Sequence, residues 1–168
     1  MPDSMIDAGR QAVVEEAAAR WAERYPGVSG FRTLTALTRG YAVMVREIES
    51  VLRPLGLNLS RFEVLMMLSF TRSAGLTMTR IRDLLTVHGS SVTYLVDKLS
   101  AAGWVSRRAD PSDGRVSLVS ITAAGREVAE ASAHALAGAG FGAIAALGED
   151  ERGRLGDLLN RLDPVTPA

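Results

Sequence analysis

Residues 90–115 concentrate side chains that bind nucleic-acid phosphates and bases. The set consists of Ser90, Ser91, Thr93, Tyr94, Lys98, Arg107, Arg108 and Arg115. Hydroxyl groups bond to phosphate oxygens and base edges, and lysine and arginine neutralise phosphate charge. These residue types therefore predict a surface that meets a polyanion such as double-stranded DNA.

The charge distribution favours such a partner for the middle of the chain only. The 168 residues have a formal net charge of zero. Residues 77–126 contain six Arg and one Lys against four Asp, for +3, whereas residues 1–76 sum to +1 and residues 127–168 to −4. This asymmetry is expected when one segment alone contacts the polyanion.

Apolar spacing places the polar set on a helix and a ribbon. A stripe at i, i+3, i+4 and i+7 consists of Val92, Leu95, Val96 and Leu99. It predicts a helix over about 89–102 with one buried face. Thr77 is a suitable N-cap for a shorter helix ending near Leu85. Two runs rich in Val and Ser, separated by Asp113-Gly114, predict a short β-hairpin after the second helix.

Helical periodicity continues on both sides of this unit. It predicts helices over 5–24 and 33–53 before it, and a helix that begins with a capping box of Ser60 and Glu63. After it, one helix is predicted from Thr122 through Leu147 and another that ends near Leu162. The three glycines between residues 138 and 142 would be costly in that helix unless a second chain packs closely against them.

The run LLTVHGSSVTYLVDKLSAAGWVSRR, followed by DPSDGRVSLVSITAAG, resembles the MarR group (multiple antibiotic resistance regulators) of bacterial transcription factors. The resemblance covers residues 33–162. It implies a mainly α fold with a small β-hairpin wing, that is, a winged helix-turn-helix. The implied regions are an N-terminal helical extension (1–30), dimerisation helices from both chain ends (31–57 and 122–163) and a DNA-binding lobe (58–121).

The resemblance also implies how these regions act. Asp113 would steady the guanidinium of Arg115 for insertion into a narrow, A·T-rich minor groove. A homodimer would bind a pseudo-palindromic operator as a repressor, and a small aromatic effector would release it. Candidate effector-lining residues are Tyr41, Met44, Met66, Met67 and Phe70, with core packing as the alternative for each.

The second helix departs from the usual family pattern at three positions. His88 stands where Ser commonly caps the helix, Gly89 where a longer or basic residue is common, and Tyr94 where Arg is frequent. These departures remove expected phosphate and base contacts from that helix.

Two other classes of function remain as alternatives. A winged helix can serve as a ligand-sensing or protein-interaction module without binding DNA. An enzyme is not predicted, because the sequence has no cysteine, only two histidines, no phosphate-binding loop and no metal-ligand spacing. The same observations predict no cofactor and no metal.

The location is predicted to be cytoplasmic, with no membrane partner. The first 21 residues lack the apolar run of a secretion signal, and the longest apolar stretch, residues 135–147, is too short to span a bilayer.

Overall fold

The structure is a computed structural model that describes residues 2–85, 89–110 and 116–162. Its helices are α1 (Pro2–Arg24), α2 (Val28–Leu52), α3 (Leu59–Phe70), α4 (Met78–Leu84), α5 (Gly89–Ala101), α6 (Ala123–Gly138) and α7 (Glu149–Asn160). Its strands are β1 (Leu76–Thr77), β2 (Val105–Ala109) and β3 (Ser117–Ile121), and short 3-10 helices cover Arg53–Leu55 and Gly142–Ala146. The predicted fold class, mainly α with a small β-sheet, is confirmed.

The chain separates into two compact units, Met1–Met44 and Val45–Ala168. In the first unit, Trp21 of α1 stacks on Phe31 of α2 with ring centroids 4.8 Å apart. An ion pair of 2.7 Å between Arg32 and Glu15 adds a second contact between the two helices. α1 and the first part of α2 thus form a helical hairpin, and α2 begins at Val28 rather than at the predicted Thr33.

In the second unit, β3 is the central strand of an antiparallel sheet with the order β1-β3-β2. Leu118 and Val119 are both buried, although adjacent residues of a strand point to opposite faces. A strand covered on both faces has no solvent side, which explains the irregular apolar alternation of this run. The sequence did not predict β1, whose residues Leu76 and Thr77 pair with Val119 and Leu118.

Helices α3, α4, α5 and α6 build the core of the second unit around this sheet. The predicted stripe of α5 is confirmed, since its four residues are at most 5% exposed. The other elements of this unit contribute further buried residues, among them Val64, Leu65, Leu68, Ile81, Val105, Val119, Ala129 and Leu136.

The predicted continuous helix from Thr122 to Leu147 is wrong. α6 ends at Gly138, and Gly140, Phe141 and Gly142 have left-handed backbone angles, with φ of 60°, 59° and 65°. A Cβ atom at position 142 would lie 2.9 Å from the Cβ of Glu47. Glycine here permits a turn that ends the helix, and the chain continues as a 3-10 helix.

The start of α3 also differs from its prediction. The N-cap is Asn58, whose Oδ1 accepts hydrogen bonds from the Arg61 backbone N–H at 3.0 Å and from its Nε at 3.1 Å. Ser60 and Glu63 lie inside the helix. Burial raises the pKa of the Glu63 carboxyl, which is opposite to the effect of capping hydrogen bonds on a carboxylate.

Across the described residues, no single helix has both the length and the apolar composition needed to cross a membrane. The pair Ala123–Ala146 and Glu149–Asn160 meets that criterion only jointly, across an 80° bend.

The cap of α3 gives a stability prediction with a matched control. Asn58→Ala leaves the Arg61 amide without its acceptor, so we expect the free energy of unfolding to fall by about 1 kcal/mol. Ser60→Ala, two residues away, should change it by less than about 0.5 kcal/mol. Urea denaturation followed by circular dichroism measures both values. Equal losses in the two variants would show that the cap is assigned incorrectly.

Candidate nucleic-acid interface

Helices α4 and α5 form the two-helix unit predicted from the sequence. Thr77 is the N-cap of α4, as predicted, and its Oγ1 accepts a hydrogen bond from the Arg80 N–H at 3.1 Å. Ile81 and Leu85 are buried, and α4 packs against α5. The turn between the helices, including His88, lies outside the described residues.

The face of α5 opposite its apolar stripe is exposed to solvent. Thr93, Tyr94, Asp97 and Lys98 are exposed on it. The Lys98 Nζ lies 5.4 Å from the centroid of the Tyr94 ring, a distance at which a cation and an aromatic face attract. The side chains of Ser90 and Ser91 lie outside the described part of the structure.

Arg107 of β2 reaches across to α5. Its Nη2 lies 2.6 Å from the Asp97 Oδ1 and 3.5 Å from the Thr93 carbonyl oxygen. The strand thus brings a guanidinium to the exposed face of the helix. Asp97 was not among the predicted site residues, because its role depends on how a strand lies over a helix and not on local spacing.

Arg108, the next residue of β2, makes a different contact. Its Nη2 donates to the Ala74 carbonyl at 2.8 Å, and the Ser120 hydroxyl donates to the same oxygen at 2.5 Å. These bonds tie the chain before β1 to the sheet. The two predicted arginines therefore contact different parts of the fold. Arg108 bonds the segment before β1, and only Arg107 contacts the exposed face of α5.

The tip of the ribbon, residues 111–115, lies outside the described residues, and with it the predicted pair Asp113 and Arg115. At its base, the Asp110 N–H donates to the Val116 carbonyl at 2.8 Å. This bond continues the β2–β3 pairing to the edge of the undescribed tip.

A corner at Trp104 connects α5, β2 and α6. The Trp104 carbonyl accepts the Thr122 N–H at 3.0 Å, and the Thr122 hydroxyl donates to the Gly103 carbonyl at 2.8 Å. The same hydroxyl accepts the Gly125 N–H at 3.0 Å and caps α6. A Cβ atom at position 125 would overlap the Trp104 carbonyl oxygen, so α6 can approach this closely only with glycine there.

The five predicted effector-lining residues fall in both compact units. Tyr41 and Met44 belong to the first, and the other three lie on α3 in the second. Tyr41 is 62% and Phe70 76% exposed, whereas the methionines are half-buried. Within the described residues, no three His, Asp or Glu side chains converge on a possible metal position.

A protein-family model described as the MarR family matches residues 55–116. The chain is 34% identical to Sco5413, a MarR family transcriptional regulator from Streptomyces coelicolor, with a TM-score of 0.74. That match covers 81% of this chain and 94% of the Streptomyces chain.

Two characterised relatives match a shorter segment. The HTH-type transcriptional repressor Rv2887 of Mycobacterium tuberculosis is 37% identical over 94 residues, which are 56% of this chain and 66% of Rv2887. The multiple antibiotic resistance protein MarR of Escherichia coli is 32% identical over 93 residues, which are 55% of this chain and 62% of that protein. The chain thus matches slightly less than two thirds of the length of each.

Proposed function

This chain belongs to the MarR family, and on that basis we propose that it is a sequence-specific DNA-binding transcriptional repressor of the cytoplasm. The observation that supports this best is the exposed face of α5, where Tyr94 and Lys98 lie on the helix and Arg107 joins them from the strand. Among the proteins it matches, Rv2887 is named as a transcriptional repressor and Sco5413 as a transcriptional regulator.

The proposed mode of binding follows from this face. A helix that presents small polar and aromatic side chains fits a major groove, where it can bond base edges. Lys98 supplies phosphate contact near the end of the helix, and the tip with Asp113 and Arg115 would enter an adjacent minor groove. Ser90, Ser91 and Thr93 would bond phosphates or bases at the start of α5, and Arg108 would contact backbone from the ribbon.

Lys98 gives a direct test because it is the only lysine in the chain. An amine-reactive reagent can therefore label Lys98 and the N-terminal amine alone. The operator can be recovered by sequencing genomic DNA captured by the protein. We expect operator DNA to reduce Lys98 labelling several-fold, measured by mass spectrometry, and to leave the N-terminal labelling unchanged as the internal control.

Affinity measurements complete this test. Lys98→Ala should weaken binding to every duplex and lower the slope of log affinity against log salt by about 1, since one phosphate contact is lost. Arg115→Ala should weaken binding most for A·T-rich flanks. No operator preference at low salt, together with full Lys98 labelling, would instead favour a winged helix that senses ligands or partners without DNA.

We propose that the protein acts as a homodimer, with residues 31–57 and 122–163 as its dimerisation helices and residues 58–121 as its DNA-binding lobe. α7 supports this, because it has no buried residue although it carries an apolar stripe. The stripe consists of Leu155, Leu158, Leu159 and, just past the helix, Leu162. An apolar stripe of this spacing on an exposed helix can pack against a partner helix. A second copy of the chain would place one α5 helix at each half of a pseudo-palindromic site.

Leu158, which is 56% exposed, provides the dimer test. Leu158→Glu should raise the dimer dissociation constant at least tenfold, because a charge would be buried in an apolar contact. Asn160→Glu adds the same charge on the opposite side of α7 and should leave dimerisation unchanged. Analytical ultracentrifugation compares the variants, with circular dichroism to check folding. Wild-type protein that is monomeric at micromolar concentration would contradict the proposal.

We also propose that a small aromatic effector releases the repressor from DNA and contacts Tyr41, Met44, Met66, Met67 and Phe70. The exposed ring of Phe70 supports this for the residues on α3, because a planar ligand can cover it. Such a ligand must bind the DNA-free arrangement more tightly than the DNA-bound one, since equal affinity shifts no equilibrium.

A panel of phenolic compounds tests the effector proposal. At least one should lower operator affinity tenfold or more in an anisotropy titration. Phe70→Ala should weaken that effect without changing operator affinity in the absence of the compound. Tyr25→Ala, which removes an exposed aromatic ring outside the predicted set, serves as the control. Operator affinity that no compound changes would count against the proposal.

A further inference from the structure

We propose that Asp97 is a positioning residue that holds Arg107 of β2 against α5, so that Arg107 contributes to operator specificity. This inference rests on the proposed DNA-binding function and deepens it. The positive charge that α5 lacks is supplied by Arg107 of β2. Asp97, although acidic, would then help operator binding, whereas an acidic residue near DNA ordinarily only repels phosphates.

The charges of α5 make this contribution necessary. Asp97 and Lys98 are the only charged residues of the helix, so the helix has no net charge of its own. Tyr94, where the family often has arginine, adds an aromatic face but no cation. Arg107 restores a guanidinium to this surface, one helical turn from Tyr94, because its Nη2 lies 2.6 Å from the Asp97 carboxylate.

The geometry leaves most of the Arg107 guanidinium available to donate hydrogen bonds to DNA. Both the contact with Asp97 and the 3.5 Å approach to the Thr93 carbonyl use Nη2. Among the described residues, the Nε and Nη1 groups of Arg107 have no partner. A guanidinium that is anchored through one nitrogen can still present its other N–H groups to a base-edge acceptor such as guanine O6 or N7.

The pair contributes little to holding the fold together. The Arg107 side chain is 36% and the Asp97 side chain 57% exposed, and ion pairs at this exposure add little stability. Arg108, by contrast, bonds the Ala74 carbonyl and braces the sheet. The Asp97 contact therefore fixes the direction of a side chain that would otherwise sample many rotamers in solvent.

The consequence for binding differs between operator and random DNA. On any duplex, Asp97 repels phosphates and lowers affinity. On the operator, it also aligns Arg107 with its acceptor and so recovers binding at the correct site. Asp97 is thus expected to increase the ratio of operator affinity to random-sequence affinity, even though it adds negative charge.

A double-mutant cycle on DNA binding tests this role. Anisotropy titrations compare wild type, Asp97→Asn, Arg107→Ala and the double variant on the captured operator and on a scrambled duplex. Arg107→Ala should reduce operator affinity about 10- to 100-fold, the range for losing one base contact, with a smaller loss on the scrambled duplex. Asp97→Asn should lower the operator-to-scrambled ratio about two- to fivefold, the range for an exposed ion pair, while raising binding to the scrambled duplex.

The cycle separates orientation from simple charge. If Asp97 acts through Arg107, Asp97→Asn should have no further effect on the ratio in the Arg107→Ala background. Glu23→Gln removes an equal charge from the exposed surface of α1, outside every proposed site, and should leave the ratio unchanged. If Asp97→Asn instead strengthens binding to both duplexes equally, with or without Arg107, Asp97 acts only by repulsion and the inference is wrong.

A measurement without DNA separates this inference from the proposed function. Nitrogen-15 NMR of the Arg107 side chain should show slowed guanidinium rotation in wild type that becomes fast in Asp97→Asn. Fast rotation in wild type overturns the inference even if the protein binds its operator. Slowed rotation in a wild type without operator preference refutes the proposed function, and with it any role of the pair in specificity.

Discussion

The close approach of α6 to the Trp104 carbonyl is the constraint on which the rest of the second compact unit, Val45–Ala168, depends. The same carbonyl accepts a backbone hydrogen bond from Thr122, and the Thr122 hydroxyl bonds both Gly103 and Gly125. Because no side chain fits at position 125, the end of α5, the start of β2 and the first turn of α6 occupy one corner. The corner fixes where β2 begins and therefore which of its arginines can reach α5.

This corner also limits how the second unit can move. The corner is a rigid link rather than a hinge. Three hydrogen bonds and a tight backbone contact hold it together, and close-packed groups transmit displacement instead of absorbing it. A change in the direction of α6 must then carry the end of α5 with it. For a regulator of the proposed kind, a part with two stable arrangements would then lie elsewhere, and one candidate is the turn at Gly140–Gly142 between α6 and the 3-10 helix, where the backbone is left-handed.

The sequence predicted those parts of the structure whose cause is local. The α5 stripe and the Thr77 cap follow from helical spacing and from one side chain, and both are confirmed. β1 was not predictable, because a two-residue strand exists only through pairing with β3 more than 40 residues later. The cap of α3 was misassigned since Asn58 and Ser60 both suit the role, and only the turn at Gly56 and the bonds of Arg61 select Asn58. All of the predicted site residues stay predictions, and the side chains at positions 90, 91, 113 and 115 also lie outside the described part of the structure.

If the proposed role of Asp97 holds, its pairing with Arg107 explains how a chain of zero net charge can bind a polyanion. Long-range attraction depends on total charge, and here it is weak, so encounter with random DNA gains little. Short-range recognition depends on which donors face the bases and how firmly they are held. An arginine paired with Asp97 adds almost nothing to the long-range attraction of the protein to DNA. Its remaining N–H donors can still take part in short-range recognition of bases. In such a protein, discrimination between sequences has to come from oriented contacts, because the electrostatic term that favours every sequence equally is largely cancelled.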